Sequence, residues 1–466
     1  MATRLEKDTM GTVELPADAY YGAQTQRAIA NFPISGLKPH PALVRATIRI
    51  KKCAAQANMA TGRLAPDLGE AIVAAADQAL SGAFQDQFLV DPFQAGAGTS
   101  HNMNVNEVLA NRANELMGGK LGSYAKVNPN DHVNMAQSTN DVFPTAMRLA
   151  ALELADLAGR ELEALASTLR SKAEEFDGIL KSGRTHLQDA VPIRLGQEFA
   201  AYAKAIEGNL AGLNRSLPGL RELGIGGTAV GTGLNAEEAF IDLIVEKLTS
   251  ETGQELTRST DLIERMQNMD PFVALCASLK GTAVNLIRIA NDLRLLASGP
   301  RTGLGEITLP AMQPGSSIMP GKVNPVMAEV TDMVCFQVIG AELAVTMAAQ
   351  AGQLELNVMM PVIAYNTLFS LEILKNCLRQ FTNLCVAGIG ASEARCRSYL
   401  DQSVGLATVL APSIGYAAAA EVAKESAKSG KSIREVILER GILTAEALDE
   451  VLAPYPLTTP GVHGEK

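Results

Sequence analysis

From about Pro144 to about Phe176, apolar and charged positions alternate at helical spacing. Leu154, Leu157, Ala158, Leu162, Leu165 and Leu169 form one stripe, with Arg160, Glu161, Glu163 and Arg170 between them. That periodicity predicts one long amphipathic helix. Similar patterns predict helices over roughly 195–217, 236–251, 271–298, 326–350 and 358–390. Ala- and Leu-rich runs from about Pro41 to about Ala83 predict earlier helices, and another runs through Val108, Leu109 and Leu116. Helices this long exceed the usual mean and need partners along their whole apolar stripe. The expectation is a mainly α chain with an antiparallel central bundle. Its apolar surface is generous enough to continue into neighbouring copies, so a homo-oligomer is expected.

The two ends read differently. Pro16, Gly22, Pro33, Gly36 and Pro39 break any long helix before residue 40. From about Ser398 a smaller helical unit follows. There Ser432 and Glu435 have capping-box spacing, Gly441 suits the position after a helix end, and Thr444 caps the next helix. These changes predict three domains: 1–141, mixed but mostly helical; 142–397, the long-helix bundle; and 398–466, a small helical unit.

Four polar segments interrupt the helical pattern: Gln94–Asn104, Asn128–Asp141, Lys181–Pro192 and Gly315–Pro325. The last holds two adjacent hydroxyls, an ammonium and a carboxamide, and its glycines and prolines exclude a helix interior. Polar loops on a rigid helical scaffold are where function is expected. Their hydroxyls, amides, one imidazole and one lysine suit recognition of carboxylates. A further Gly-rich stretch, Gly224–Gly233, lacks the Gly-Lys-Ser/Thr ending of a phosphate loop and reads as a connector.

Composition narrows the classes. Hydrophobic residues make up 47% and charged residues 19%, as in a globular protein. The net charge is −10 and no basic patch stands out, which argues against nucleic acid. Cys53, Cys276, Cys335, Cys377, Cys385 and Cys396 form no C-x-x-C pair and read as buried free thiols of a reducing compartment. His40, His101, His132, His186 and His463 are scattered, so no metal site is expected. The charged N-terminus lacks a signal core, and no long uncharged apolar run suggests a membrane span. A cytoplasmic protein with no membrane contact is expected.

The stretch Gly315-Ser316-Ser317-Ile318-Met319-Pro320-Gly321-Lys322-Val323-Asn324-Pro325 resembles the signature of the aspartase/fumarase superfamily. The similarity runs from Tyr20-Tyr21-Gly22 to Thr458-Thr459-Pro460-Gly461. It implies the three-domain fold of that superfamily, whose long helices pack into a 20-helix core in a homotetramer with sites shared between subunits, and it implies no cofactor. Within the superfamily, Thr139 in Gln137–Asp141, Asn128 in Asn128–Asp131, the segment Ala351–Met359 and Gln267-Asn268 resemble the aspartase branch. Asp8–Gly11, Gly22–Arg27 and Gly226–Gly231 lean toward class II fumarase, and His101 fits neither pattern.

The aspartase resemblance implies reversible elimination of ammonia from L-aspartate to give fumarate, with malate/fumarate hydration as the alternative and a non-catalytic helical member as a remote one. Such a reaction needs a base at the C3 proton and donors aimed at the carboxylate that takes up the charge. By resemblance, Ser316 is the base. Thr99, Ser138, Thr139 and Ser317 hold the carboxylate that becomes the aci-form, and Asn140 meets the leaving amino group. Thr185 and His186 contact the other carboxylate, His186 being also a catalytic candidate, and Lys322 and Asn324 bind a substrate carboxylate. Each position has a plainer reading too. Ser316 could be a turn hydroxyl, Ser138–Asp141 a helix cap, Lys322 a surface charge and His186 a structural imidazole. Asp189 and Glu355 read as partners within the core. Gly315 and Gly321 read as hinges of a loop that closes over the ligand.

Overall fold

The computed structural model describes residues 2–403 and 405–461, so His463 lies outside the described residues. The chain opens with an antiparallel hairpin, β1 (Thr3–Asp8) and β2 (Gly11–Pro16), then α1 (Ala23–Asn31), α2 (Pro41–Ala60), α3 (Pro66–Leu80) and α4 (Thr99–Leu116). A single π-helical turn, Pro129–Val133, precedes α5 (Thr139–Glu175). A second hairpin, β3 (Leu180–Thr185) and β4 (Gln188–Arg194), leads to α6 (Leu195–Ser216) and α7 (Pro218–Arg221). Next come β5 (Glu222–Leu223), α8 (Glu238–Thr252), β6 (Thr257–Arg258), α9 (Leu262–Gln267), α10 (Asp270–Leu296) and β7 (Ile307–Thr308). After α11 (Val326–Ala349), α12 (Met360–Leu384) and β8 (Gly390–Ala391), the chain ends in α13 (Glu393–Gln402), α14 (Gly405–Ile414), α15 (Tyr416–Ser429), α16 (Ile433–Glu439), α17 (Ala445–Val451) and α18 (Pro454–Thr458).

The chain divides into two compact units. The first comprises 1–159, 211–283 and 336–375; the second comprises 160–210, 284–335 and 376–466. Every boundary falls inside one of the long helices α5, α6, α10, α11 and α12.

In the first unit α2 packs on α3 and α8, and α3 on α4. Ile48, Ile72, Val105, Val108 and Leu109 form the centre of its core. The helix α1 has no side-chain cap of its own. Instead the buried Glu107 carboxylate of α4 accepts from the N–H groups of Gly22, Gln24 and Thr25 at 2.8–3.1 Å. The donors left open at a helix start are thereby satisfied from another element.

In the second unit the C-terminal helices close over the β3–β4 hairpin, with Leu180, Leu400, Leu410, Val436, Ile437 and Leu448 in one core. The predicted capping box is present. Glu435 N–H donates to Ser432 Oγ at 3.2 Å, and Ser432 N–H donates to Glu435 Oε2 at 2.8 Å. Gly441 has φ +64°, as the position after a helix end requires, and Thr444 caps α17.

Three expectations need correction. The helix expected from Pro144 starts at Thr139, with Pro144 inside it. A proline there lacks one N–H within the second turn, and the loss is confined to that bond. The helix expected over 358–390 is shorter, because the Asn357 side chain accepts from Met359 N–H and sets its start. Lys181–Pro192 is not a loop but a hairpin: His186 and Leu187 at its turn have φ +55° and +58°. Two left-handed residues form a tight primed turn, usually signalled by Asn-Gly. His-Leu carries no such signal.

Two helices are also more apolar than expected. Windows of α10 and α11 have mean hydropathy 1.4, which with their length meets the criterion for a membrane span. Only 44% and 33% of those windows are buried in this chain. Val284, Met333, Phe336, Leu343 and Met347 are each more than half exposed.

Candidate active site

The first unit carries Thr99, Ser138, Thr139 and Asn140. Ser138 precedes α5 and caps it. Its Oγ accepts from Asn140 N–H at 3.2 Å, while its own N–H donates to Asp141 Oδ1 at 2.9 Å. The hydroxyl caps through the second helical N–H, and Asp141 returns the contact to the Ser138 N–H as the acidic residue of a capping box does. The other Asp141 oxygen accepts from Gly226 and Thr228 N–H at 2.9 and 3.0 Å, which ties the Gly-rich connector to the start of α5. Burial pushes the Asp141 carboxyl up to about 6, against these bonds and the attraction of Lys51.

The cap and a ligand use different atoms. Among the described residues the Ser138 hydroxyl only accepts, which leaves its hydrogen available to a ligand. Thr139 Oγ1 likewise accepts from Asn102 Nδ2 at 3.1 Å and keeps its hydrogen. Asn140 Nδ2 donates to Ala229 O at 2.7 Å, which leaves its Oδ1 to accept from an ammonium. Thr99 opens α4 and donates to Gly96 O at 2.8 Å, so in this state its hydrogen is used within the loop.

Beneath these residues lies a buried polar hub that sequence reasoning missed. Asn134 Oδ1 accepts from Lys51 Nζ at 2.9 Å, Asn106 Nδ2 at 3.1 Å and Asn102 Nδ2 at 3.2 Å. Lys51 Nζ also donates to Gln137 Oε1 at 3.0 Å. Its ammonium is wholly buried, which pulls it down to about 7. The available signal was the row Asn102, Asn104, Asn106, Asn111 and Asn114 within one buried helix. Polar residues at such positions must have partners.

His101 is buried and held neutral. Thr47 Oγ1 gives its hydrogen to Leu43 O and lies 3.0 Å from His101 Nε2, so Nε2 carries the imidazole proton. Burial pulls this group down to about 4. Its ring meets Phe143 edge-on at 5.7 Å. Phe143 in turn fills the space beside Gly98, where an added Cβ would come within 2.3 Å of the ring. His101 thus packs the start of α4 against α2 and α5.

The second unit carries the other six residues. Thr185 and His186 stand exposed at the tip of the β3–β4 hairpin. The signature loop closes on itself: Gly315 N–H donates to Lys322 O at 2.8 Å, and Asn324 Nδ2 donates to Gly315 O at 2.9 Å. A Cβ on Gly315 would lie 2.6 Å from Lys322 O, so this close approach needs glycine. Gly321 has φ +81° and so favours glycine too. Gly315 is therefore a close-packing position in this conformation as well as an expected hinge.

Inside the loop, Ser316 Oγ accepts from the N–H groups of Ile318 and Met319 at 3.2 and 3.0 Å. Both readings of Ser316 meet here. The two bonds hold a turn, and the same two donors stabilise negative charge on the oxygen, which eases loss of its proton. Ser317 and the Lys322 side chain are exposed, as is Ile318 at 84%. Asp189 and Glu355, expected in the core, are exposed instead. Asp189 sits next to the hairpin turn and Glu355 in the connection before α12, where each carboxylate is solvated. Among the described residues, no group of three or more His, Cys, Asp or Glu side chains could hold a metal ion.

The chain is similar over nearly its whole length to known lyases. Residues 11–340 match a family described as "Lyase", and residues 406–459 match one described as "Fumarase C C-terminus". The chain is 51% identical to the aspartate ammonia-lyase of Bacillus subtilis over 463 residues, covering 99% of this chain and 98% of the relative. It is 46% identical to the class II fumarate hydratase of Rhizobium meliloti over 461 residues, covering 98% and 99% of the two. A fumarate lyase:delta crystallin structure from Brucella melitensis, described as bound to cobalt, superposes with a TM-score of 0.95 at 48% identity, covering 98% of this chain and 100% of that one. With the signature loop intact in sequence, the chain belongs to the aspartase/fumarase superfamily of lyases.

Proposed function

We propose that the protein reversibly eliminates ammonia from L-aspartate to give fumarate. The observation that carries this reading is Ser316, whose oxygen receives two backbone N–H groups inside the signature loop. As base, Ser316 Oγ in its deprotonated form takes the C3 proton and becomes the neutral hydroxyl, and the electron pair moves into the neighbouring carboxylate to form the aci-carboxylate. Thr99, Ser138, Thr139 and Ser317 stabilise that charge, as preorganised donors do. The electrons then form the C2–C3 double bond as the C2–N bond breaks. The Asn140 oxygen, left open by the bond of its amide to Ala229, holds the substrate's α-ammonium, which departs as ammonia with the C2–N electron pair. Thr185, His186, Lys322 and Asn324 bind the remaining carboxylate, so that the substrate is fixed at both ends.

The Bacillus subtilis relative at 51% identity supports the aspartase branch over the fumarase branch, represented at 46–47%. That margin is small, and hydration of fumarate to malate is the second reading. Purified protein given L-aspartate or L-malate separates them by the ultraviolet absorbance of fumarate and by released ammonia. Fumarate and ammonia from aspartate are expected. Fumarate from malate alone favours the second reading, and fumarate from neither excludes both.

The oligomer belongs to the same proposal. Exposed apolar residues on α10 and α11 suit burial against other copies, in a homotetramer with a 20-helix core and shared sites. Sedimentation velocity is expected to give four times the chain mass; a monomer overturns this part. The six buried free thiols suit a reducing cytoplasmic setting.

A further inference from the structure

We infer that Arg184 is a positioning residue for substrate binding: through a two-pronged ion pair with the buried Glu306, it holds Thr185 and His186 at the hairpin tip. The inference rests on the reading that this tip contacts the substrate.

The tip itself is exposed and its turn is built from two left-handed residues. Such a turn does not by itself fix where two side chains point. One residue back, Arg184 Nη1 and Nη2 each lie 3.0 Å from the two oxygens of Glu306. Glu306 is fully buried, and Lys181 Nζ, also buried, lies 2.9 Å from its Oε2. Lys181 Nζ is further bonded to both oxygens of Glu198 at 2.9 and 3.0 Å. Two cations thus face two anions, and the charge inside the unit is balanced. The Arg184 guanidinium also lies over the Tyr399 ring, 5.5 Å from its centre.

The strand geometry is adapted to this contact. Along a regular strand, Lys181 and Arg184 would face opposite sides. Here the pairing shifts between Ser182 and Arg184, so that Ser182 faces Pro192 but Arg184 faces Asp189. A bulge of this kind re-aims side chains, and it turns both cations toward one carboxylate. Gly183 makes room: a Cβ there would lie 2.7 Å from Val191 O. A guanidinium held at two points on a buried carboxylate has a fixed direction, which a lysine cannot copy.

Glu306 also links two candidate segments. Ser392 N–H donates to its carbonyl at 2.8 Å, and its own N–H donates to Leu296 O at 2.9 Å. From there the chain runs through β7 directly to the signature loop. The ion pair therefore anchors the hairpin tip to the root of the segment that carries Ser316.

The test uses the full-length protein and whichever of L-aspartate or L-malate it turns over. In Arg184→Lys, and more strongly in Arg184→Ala, KM is expected to rise about tenfold or more while kcat falls less than about threefold. Added guanidinium chloride at low millimolar concentration is expected to lower the KM of Arg184→Ala again. Amide hydrogen exchange of the peptide spanning the hairpin is expected to quicken in both variants and not in Thr185→Ala. An unchanged KM, or an activity loss that only follows the folded fraction with no change in hairpin exchange, overturns the inference. If Thr185→Ala and His186→Ala leave KM unchanged while hairpin exchange still quickens in Arg184→Lys, the anchor stands as a structural device and the contact of the tip with substrate fails.

Discussion

The candidate residues of the two units are held in opposite ways. In the first unit, Ser138, Thr139 and Asn140 rest on a buried polar hub of Lys51, Asn102, Asn106 and Asn134, and the buried Asp141 carboxylate ties Ser138 to the Gly-rich connector. In the second, Ser316, Ser317, Lys322, Thr185 and His186 stand on an exposed loop and an exposed hairpin tip. Among the described residues, the hydrogen bonds of Gly315–Val323 stay within the loop, and only Asn324 and Pro325 bond onward to the start of α11. The difference separates two tasks. A rigid hub presents unused hydroxyl hydrogens in fixed directions, which suits recognition of a carboxylate. A self-closed loop with exposed Ile318 and Met319 can move without breaking bonds to the rest of its unit, which suits closure over a ligand.

The largest effect on stability is expected on the hub side. Asp141→Ala removes the acceptor of Ser138, Gly226 and Thr228 and leaves Lys51 without its buried counter-charge. Leaving buried N–H donors without an acceptor costs about 1–3 kcal/mol each, read as a shift in chemical denaturation. Asp141→Asn keeps a side-chain oxygen and should lose less. Equal stability of Asp141→Ala and the unaltered protein would break the contrast between a rigid hub and a free loop.

His101 gives the next effect, through pH. Its folded value of about 4 lies below the usual 6.5. The unfolded chain therefore binds the proton more readily. The stability that neutral His101 represents is present above pH 6.5 and is lost as pH falls toward 4. Over that window the loss is about 3 kcal/mol. A His101→Gln variant should lack this part of the acid sensitivity, and identical pH profiles in denaturation would contradict the assignment. The smallest effect is expected on the loop side. Ile318→Ser replaces a side chain that is 84% exposed, so stability should change by less than about 0.5 kcal/mol.

The same contrast marks what the sequence made legible. Local signals were readable: the long helical stripes, the Ser432–Glu435 box and the signature loop each depend on residues near one another. Non-local ones were not. Lys51 reads as an ordinary helix lysine until Asn134 and Gln137, more than 80 residues away, surround it. Arg184 reads as part of a polar loop until Glu306 meets it. The hairpin was missed because His186-Leu187 adopts a turn that such residues seldom signal. Asp189 and Glu355 were placed in the core on pattern alone, and the hairpin and the connection before α12 turn them outward.

The central claim is that Ser316 is the base and not merely a turn former. Turnover of Ser316→Ala, measured beside its melting temperature, tests it most directly. The account predicts loss of turnover by about 10²–10⁴-fold or more, with a melting temperature within about 2 °C of the unaltered protein. Near-normal turnover in that variant would contradict it.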